Sequence, residues 1–336
     1  MEAAMDALFA LATELVGLLA LLAFAGAVLV ATLTTILVRT MVRPPRRGMG
    51  YALAHSLPTE PGDLGLASEG FEIERPDGVR LEGWIIEGDA PDGDGGDGED
   101  AARDRRTAIC LHGWGESRID VLARLPVYLG LFDRFVLYDA RGHGESGGRC
   151  ALGEREVDDL LALLERFAKS EDEAGSGERL VVMGWSMGAV VGLEAVERWR
   201  AEHPSESTPG LISLGGYTSF RSALKARMRR AGYPAEPMAS LALLWLKVAG
   251  RQPAEADLAA LRDLASEASP GPPILWLQGS EDEVGLTGEQ RRSIAVDGVS
   301  IDIRVIDGAH HLDLEHADTA RVRAAVADCI ERWDRP

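Results

Sequence analysis

Apolar positions along this chain fall into two regimes. From Leu15 to Val38 there are 24 consecutive residues without a charge, dominated by Leu, Ala and Val. At 1.5 Å per residue that is roughly 36 Å of helix, enough to cross a hydrocarbon core of about 30 Å with some tilt. A buried core helix is the alternative, and the run shows no amphipathic stripe in its favour. It is expected to be a transmembrane helix at 15–38, preceded by a short tail at 1–14. Pro44-Pro45 and the stretch to residue 70 show little periodicity and read as a juxtamembrane linker, 39–70.

The second regime begins at Phe71. Phe71–Glu74, a Pro76-Asp77-Gly78 turn and Val79–Ile86 predict a β-hairpin. From Thr107 short apolar runs bounded by Gly, Asp or His alternate with helix-period stretches. The strand-like runs are Thr107–Leu111, Phe135–Tyr138, Arg179–Met183, Leu211–Leu214, Ile274–Gln278 and Ile301–Ile306. The helical ones include Glu154–Lys169, Ser186–Glu202 and Asp318–Trp333. This alternation implies right-handed crossovers, hence an α/β fold with a mostly parallel sheet and helices on both faces. Residues 71–336 are assigned to that domain. Two intervals break the rhythm. Residues 88–104 are nearly all Gly, Asp, Pro and Ala, and read as a flexible surface insertion. Residues 217–270 hold two helix-like pieces, Ser219–Ala231 and Met238–Val248, placed where a small helical lid would sit or where extra core helices would pack.

Charge narrows the classes. A formal net charge of −19 over 336 residues leaves no basic footprint for nucleic acid. The leading residues Glu2, Asp6 and Glu14 are acidic, and the apolar run is longer than a signal peptide's, so cleavage is not expected. Arg39, Arg43, Arg46 and Arg47 follow the span, which by the positive-inside rule places the C-terminal domain in the cytoplasm. The protein is therefore expected to be single-pass, with the lipid bilayer as one partner. Three cysteines, one of them (Cys110) inside a strand-like run, form no zinc or disulfide pattern. The Asp92–Asp97 run departs from a calcium loop at Gly96 and Arg103.

The most informative pentapeptide is Gly184-Trp185-Ser186-Met187-Gly188, lying between a strand-like and a helix-like run. A G-x-S-x-G pattern in that context is a nucleophile elbow, where the flanking glycines make room for a cramped serine. A serine hydroxyl needs a histidine to take its proton, and the histidine needs a carboxylate to hold its tautomer. Those partners should follow in the order acid, then histidine, each after a strand. Asp282 fills the acid position after Ile274–Gln278, with Glu281 and Glu283 as weaker candidates. After Ile301–Ile306 comes Asp307-Gly308-Ala309-His310-His311-Leu312-Asp313.

Four blocks in order, LHGWGES (111–117), LYDARGHGESGG (137–148), GWSMG (184–188) and the QGSEDEV/DGAHHLDL pair, resemble an α/β-hydrolase of the serine aminopeptidase-like or monoglyceride-lipase-like branch. The resemblance runs from about Phe71 to Trp333 and implies fold and reaction type. It selects His311 over His310 as the base, since Gly308-Ala309 aligns with the family's Gly-Ala-Gly-His, and leaves Asp313 structural. It also implies an oxyanion hole from the backbone N–H groups of Trp114 and Met187. His112 and the Arg141–Gly148 block are expected to shape loops rather than react. The histidines 310, 311 and 316 with Asp313 are better explained by the triad than by a metal, and no cofactor is expected. The expected activity is hydrolysis of carboxylic esters with an apolar acyl group. A thioesterase, peptidase or acyltransferase would use the same residues, and a non-catalytic membrane scaffold of the same fold is the alternative of another class. Arg221, Lys225, Arg227, Arg229 and Arg230 crowd one helix-like piece, either pairing with nearby acids or resting on anionic headgroups. Oligomeric state is not encoded in any pattern here.

Overall fold

The computed structural model describes residues 2–88, 105–168, 178–257, 259, 274–294 and 301–334. The expected insertion at 88–104 lies outside them apart from Gly88, as does much of the end of the 217–270 interval.

Eight strands form one sheet: β1 (Ser68–Glu74), β2 (Arg80–Glu87), β3 (Arg105–Leu111), β4 (Arg134–Tyr138), β5 (Glu178–Trp185), β6 (Gly210–Leu214), β7 (Ile274–Gly279) and β8 (Ile301–Ile306). Their order is β1-β2-β4-β3-β5-β6-β7-β8. β1 and β2 pair as an antiparallel hairpin whose second strand also runs antiparallel to β4. From β4 to β8 every neighbouring pair is parallel. This is a mostly parallel α/β sheet, and each strand-like run of the sequence forms one of its strands.

The helices are α1 (Glu2–Val42), α2 (Met49–Ala54), α3 (Arg118–Arg124), α4 (Glu154–Ala168), α5 (Met187–Glu202), α6 (Phe220–Arg230), α7 (Met238–Val248), α8 (Gly288–Ile294), α9 (Leu314–Ala317) and α10 (Thr319–Asp334). Because strand side chains alternate, each central strand feeds two cores. Ile109, Leu111 and Val182 join α4 and α5 residues such as Leu160, Leu164, Val190 and Leu193 on one face. Ala108, Cys110, Val181 and Met183 join Leu122, Tyr128, Val322 and Val326 on the other. All three cysteines are free and buried.

The N-terminal region differs from its expected outline. The helix extends beyond residues 15–38 at both ends, from Glu2 to Val42, and is long and apolar enough to cross a membrane. Leu8, Leu15, Leu22 and Leu29 are exposed, whereas Thr34, Val38 and Met41 are buried against the domain. The segment expected as a linker is built into the fold. Arg46 donates to the Gly144 carbonyl at 3.1 Å, Arg47 pairs with Asp120, and the Cys150 amide donates to the Val42 carbonyl at 3.2 Å. Low periodicity at 39–70 reflects docking by individual side chains and short turns, not an absence of structure.

Candidate active site

β5 ends in a turn that places Ser186 before the first residue of α5. Ser186 has φ 50° and ψ −109°, a region L-residues rarely occupy. Its amide donates to the Leu214 carbonyl at 2.9 Å, which ties the turn to the end of β6. The flanking glycines explain why no larger residue serves. A Cβ on Gly184 would stand 2.3 Å from the Gly188 carbonyl group, and one on Gly188 would stand 2.1 Å from the Leu111 oxygen. The strain is held by the hydrogen bond to Leu214 and by the close packing around the two glycines.

The loops after β7 and β8 are laced together. The Ser280 amide donates to the Ile306 carbonyl at 2.9 Å, and Glu281 N–H donates to Ala309 at 3.0 Å. Gly279 is required there, since a Cβ would meet the Ala309 oxygen at 2.0 Å. This lacing sets Asp282 beside His311. His311 Nδ1 lies 3.0 and 3.1 Å from the two Asp282 carboxylate oxygens, and its Nε2 lies 2.8 Å from Ser186 Oγ. The Asp282 side chain is fully buried and also accepts the Val284 amide at 2.9 Å. With Nδ1 protonated toward Asp282, Nε2 presents its lone pair to the hydroxyl.

The other candidates fall elsewhere. His310 is exposed, and its amide is held by Asp313. Glu283 pairs with Arg229 at 3.1 Å. His112 Nε2 accepts the Ala140 amide at 3.0 Å while Nδ1 meets the Gly113 carbonyl at 2.8 Å, so both ring nitrogens are engaged in shaping loops. In the 141–148 block, Arg141 chelates Asp159 at 2.7 Å through two nitrogens, and Ser146 Oγ donates to the Asp139 carbonyl at 2.6 Å. No group of three or more potential metal ligands occurs among the described residues.

The Met187 amide is the first of α5 and has no intrahelical acceptor by helix geometry. The Trp114 amide donates to no backbone carbonyl among the described residues. Its loop is positioned by a residue the sequence reading did not single out. Glu116 accepts the Gly113 amide at 3.0 Å and binds Arg124 at 2.6 Å. Burial works to raise the Glu116 carboxyl, but Arg124 and the Gly113 amide outweigh it and hold its pKa at about 2. The spacing Gly113-x-x-Glu116 was the available signal, and it is too short and common to be distinctive.

Beside Ser186 lies a cleft of about 150 Å3, walled by Trp114, Leu152, Tyr217, Phe220, Leu224 and Met41 among others. Met41 comes from the last turn of α1, and Trp114 Nε1 donates to its carbonyl at 2.8 Å. Arg227 stacks its guanidinium 3.9 Å above the Trp114 ring. No local pattern could have put Met41 here.

An elbow serine, a histidine and a buried acid after β5, β8 and β7 of a mostly parallel sheet define the α/β-hydrolase class. The Alpha/beta hydrolase family profile matches residues 108–325, and the chain belongs to that family. Among solved structures, the esterase Pf2001 of Pyrococcus furiosus aligns with a TM-score of 0.61 at 20% identity, covering 87% of this chain and 98% of the esterase. The alpha/beta hydrolase GrgF from Penicillium sp. sh18 aligns with a TM-score of 0.50 at 15% identity, over 80% of this chain and 99% of that one. At these identities the likeness is one of fold. The uncharacterized protein YqkD of Bacillus subtilis (strain 168) is 28% identical over 181 residues, 53% of this chain. The chain spans about half of that relative's length, 55%.

Proposed function

We propose that the protein is a membrane-anchored serine hydrolase that cleaves carboxylic esters with an apolar acyl group. The observation that carries this reading is the chain of contacts from Ser186 Oγ to His311 Nε2 at 2.8 Å and from His311 Nδ1 to Asp282 at 3.0 Å. Ser186 Oγ attacks the ester carbonyl carbon as His311 Nε2 takes its proton, and Asp282 stabilises the imidazolium. The Trp114 and Met187 amides receive the tetrahedral oxyanion. His311 then protonates the departing alkoxide, the acyl-enzyme forms on Ser186, and a water activated by His311 releases the acid. The preference for apolar acyl groups rests on the wall of Leu152, Phe220 and Leu224. No cofactor is required.

In this reading α1 spans the bilayer and the hydrolase domain faces the cytoplasm, as the arginines from Arg39 to Arg47 favour. A C-terminal reporter active only outside the cytoplasm overturns the orientation.

The enzymatic reading is tested by a fluorophosphonate probe on the full chain. Labelling of the wild type that vanishes in Ser186→Ala supports it, and equal labelling of both removes it. Turnover of p-nitrophenyl esters against matched thioesters and aminoacyl amides sorts the reaction class.

A further inference from the structure

Helix α6 carries five basic residues, and they divide cleanly by partner. Arg221 and Lys225 pair with Glu236, at 3.3 and 2.5 Å, and Arg229 pairs with Glu283 at 3.1 Å. Arg227 and Arg230 have no carboxylate partner among the described residues, and these two line the cleft beside Ser186. They are three residues apart, so they share one face of the helix. Acids outnumber bases here by 54 to 35, so a shortage of carboxylates does not explain two unpaired guanidinium groups side by side. The cleft's own acids do not neutralise them. Asp282 is committed to His311 and Glu283 to Arg229.

Arg227 is held in place. Its guanidinium carbon sits over the Trp114 ring, 3.9 Å from the centroid, in the residue whose amide is expected to receive the oxyanion. Partial desolvation, with repulsion from Arg47 and Arg230, lowers the Arg227 pKa. An anion beside it would relieve that repulsion, and a guanidinium fork suits carboxylate and phosphate oxygens.

We propose that Arg227 and Arg230 form an anion-binding subsite of the cleft, so that the preferred substrate is an amphiphilic ester carrying its own carboxylate or phosphate group. The proposal rests on the serine-hydrolase reading for the word substrate, but the subsite itself does not need turnover. In that reading Trp114 carries both functions in one residue, its ring supporting Arg227 and its amide receiving the oxyanion. A bound anion therefore orients the ester relative to Ser186.

The binding test uses the full chain in nonionic detergent, as Ser186→Ala, titrated calorimetrically with hexylphosphonate, hexanoate and hexanol. The expected result is that at least one anion binds tenfold or more tightly than hexanol, and that Arg227→Ala/Arg230→Ala removes this advantage while Arg227→Lys keeps part of it. Which anion wins identifies phosphate or carboxylate as the source. Equal affinity for all three ligands, or an anion advantage that survives the double substitution, overturns the proposal. The kinetic arm compares mono-p-nitrophenyl glutarate with p-nitrophenyl valerate, and butyryl glycerol phosphate with monobutyrin, on the chain with its serine intact. The anionic-to-neutral ratio of kcat/KM is expected to fall at least tenfold in the double variant, mostly through KM. An unchanged ratio counts against the proposal. Absence of fluorophosphonate labelling in the wild type defeats the hydrolase reading alone, and the calorimetric result then still decides the subsite.

Discussion

The indole Nε1 of Trp114 donates to the carbonyl oxygen of Met41 at 2.8 Å, which ties the loop beside Ser186 to the last turn of α1. Met41 also walls the cleft, and Val38 is buried against the domain with it. The end of the apolar helix is thus part of the site.

Two truncations separate these roles. A chain beginning at residue 30 retains Thr34, Val38 and Met41, whereas one beginning at residue 43 loses them together with the Trp114 acceptor. The shorter deletion is expected to keep kcat/KM on p-nitrophenyl butyrate within about threefold. The longer one is expected to lose tenfold or more, since misplacing a reacting group by about 1 Å costs on the order of a hundredfold. Equal activity of the two truncates shows that α1 does not contribute to the cleft.

Glu116 gives a prediction in pH. Its folded pKa of about 2 lies below the 4.5 of a free glutamate, so the stability it contributes is complete above pH 4.5 and lost as pH falls toward 2. Glu116→Gln removes the charge facing Arg124 while keeping an acceptor for Gly113. Thermal unfolding in detergent is expected to show a loss on the order of 3 kcal/mol above pH 5, shrinking between pH 4.5 and 2. At neutral pH, ester turnover should drop about tenfold, less than the hundredfold or more for losing an oxyanion donor outright. A variant as acid-sensitive as the wild type refutes the assignment.

How much of this was legible depends on the range of the interaction. β5 and the elbow were readable because β-branched residues, the two glycines and Ser186 are contiguous, and the steric reason for each glycine is local. The parallel strands were readable because each apolar run stops where a loop residue begins. Asp282 followed from its place after β7, but the choice of His311 over its neighbour needed the family resemblance, since adjacent histidines point in different directions only once the loops are laced. Met41 was invisible because its role arises from docking of a segment that reads as bilayer or linker. The split among the α6 arginines was equally hidden. Five charges on one helix look alike until Glu236 and Glu283 are seen to take three of them.

Gly188→Ala probes the elbow from behind. The new methyl would meet the Leu111 oxygen at 2.1 Å and the His112 oxygen at 2.8 Å, both backbone atoms that cannot swing aside. The expected cost is about 1–3 kcal/mol or more, together with loss of fluorophosphonate labelling, because Leu111 and His112 lead into the Trp114 loop. Gly192→Ala is the control on the same helix. Its nearest contact is a Val182 methyl at 2.7 Å, a side chain that can adjust, so stability should fall without loss of labelling. Labelling retained in Gly188→Ala shows that the close approach is not needed for the nucleophile.

The two adjacent histidines give the sharpest test of the relay. His311 reaches Ser186 Oγ at 2.8 Å, while the His310 ring is exposed and only its backbone amide is used, by Asp313. Alanine at 310 keeps that amide, so His310→Ala should hold kcat within about threefold. His311→Ala removes the only base in contact with the hydroxyl among the described residues, and kcat should fall by about 10⁴ or more. Asp282→Asn should also fall about 10⁴-fold, since an amide facing Nδ1 stabilises the wrong tautomer and turns the Nε2 proton toward Ser186. Steady-state ester turnover on the three variants decides the matter. A severe loss in His310→Ala with activity kept in His311→Ala means that the proton travels by another route and the relay seen here is not the one used.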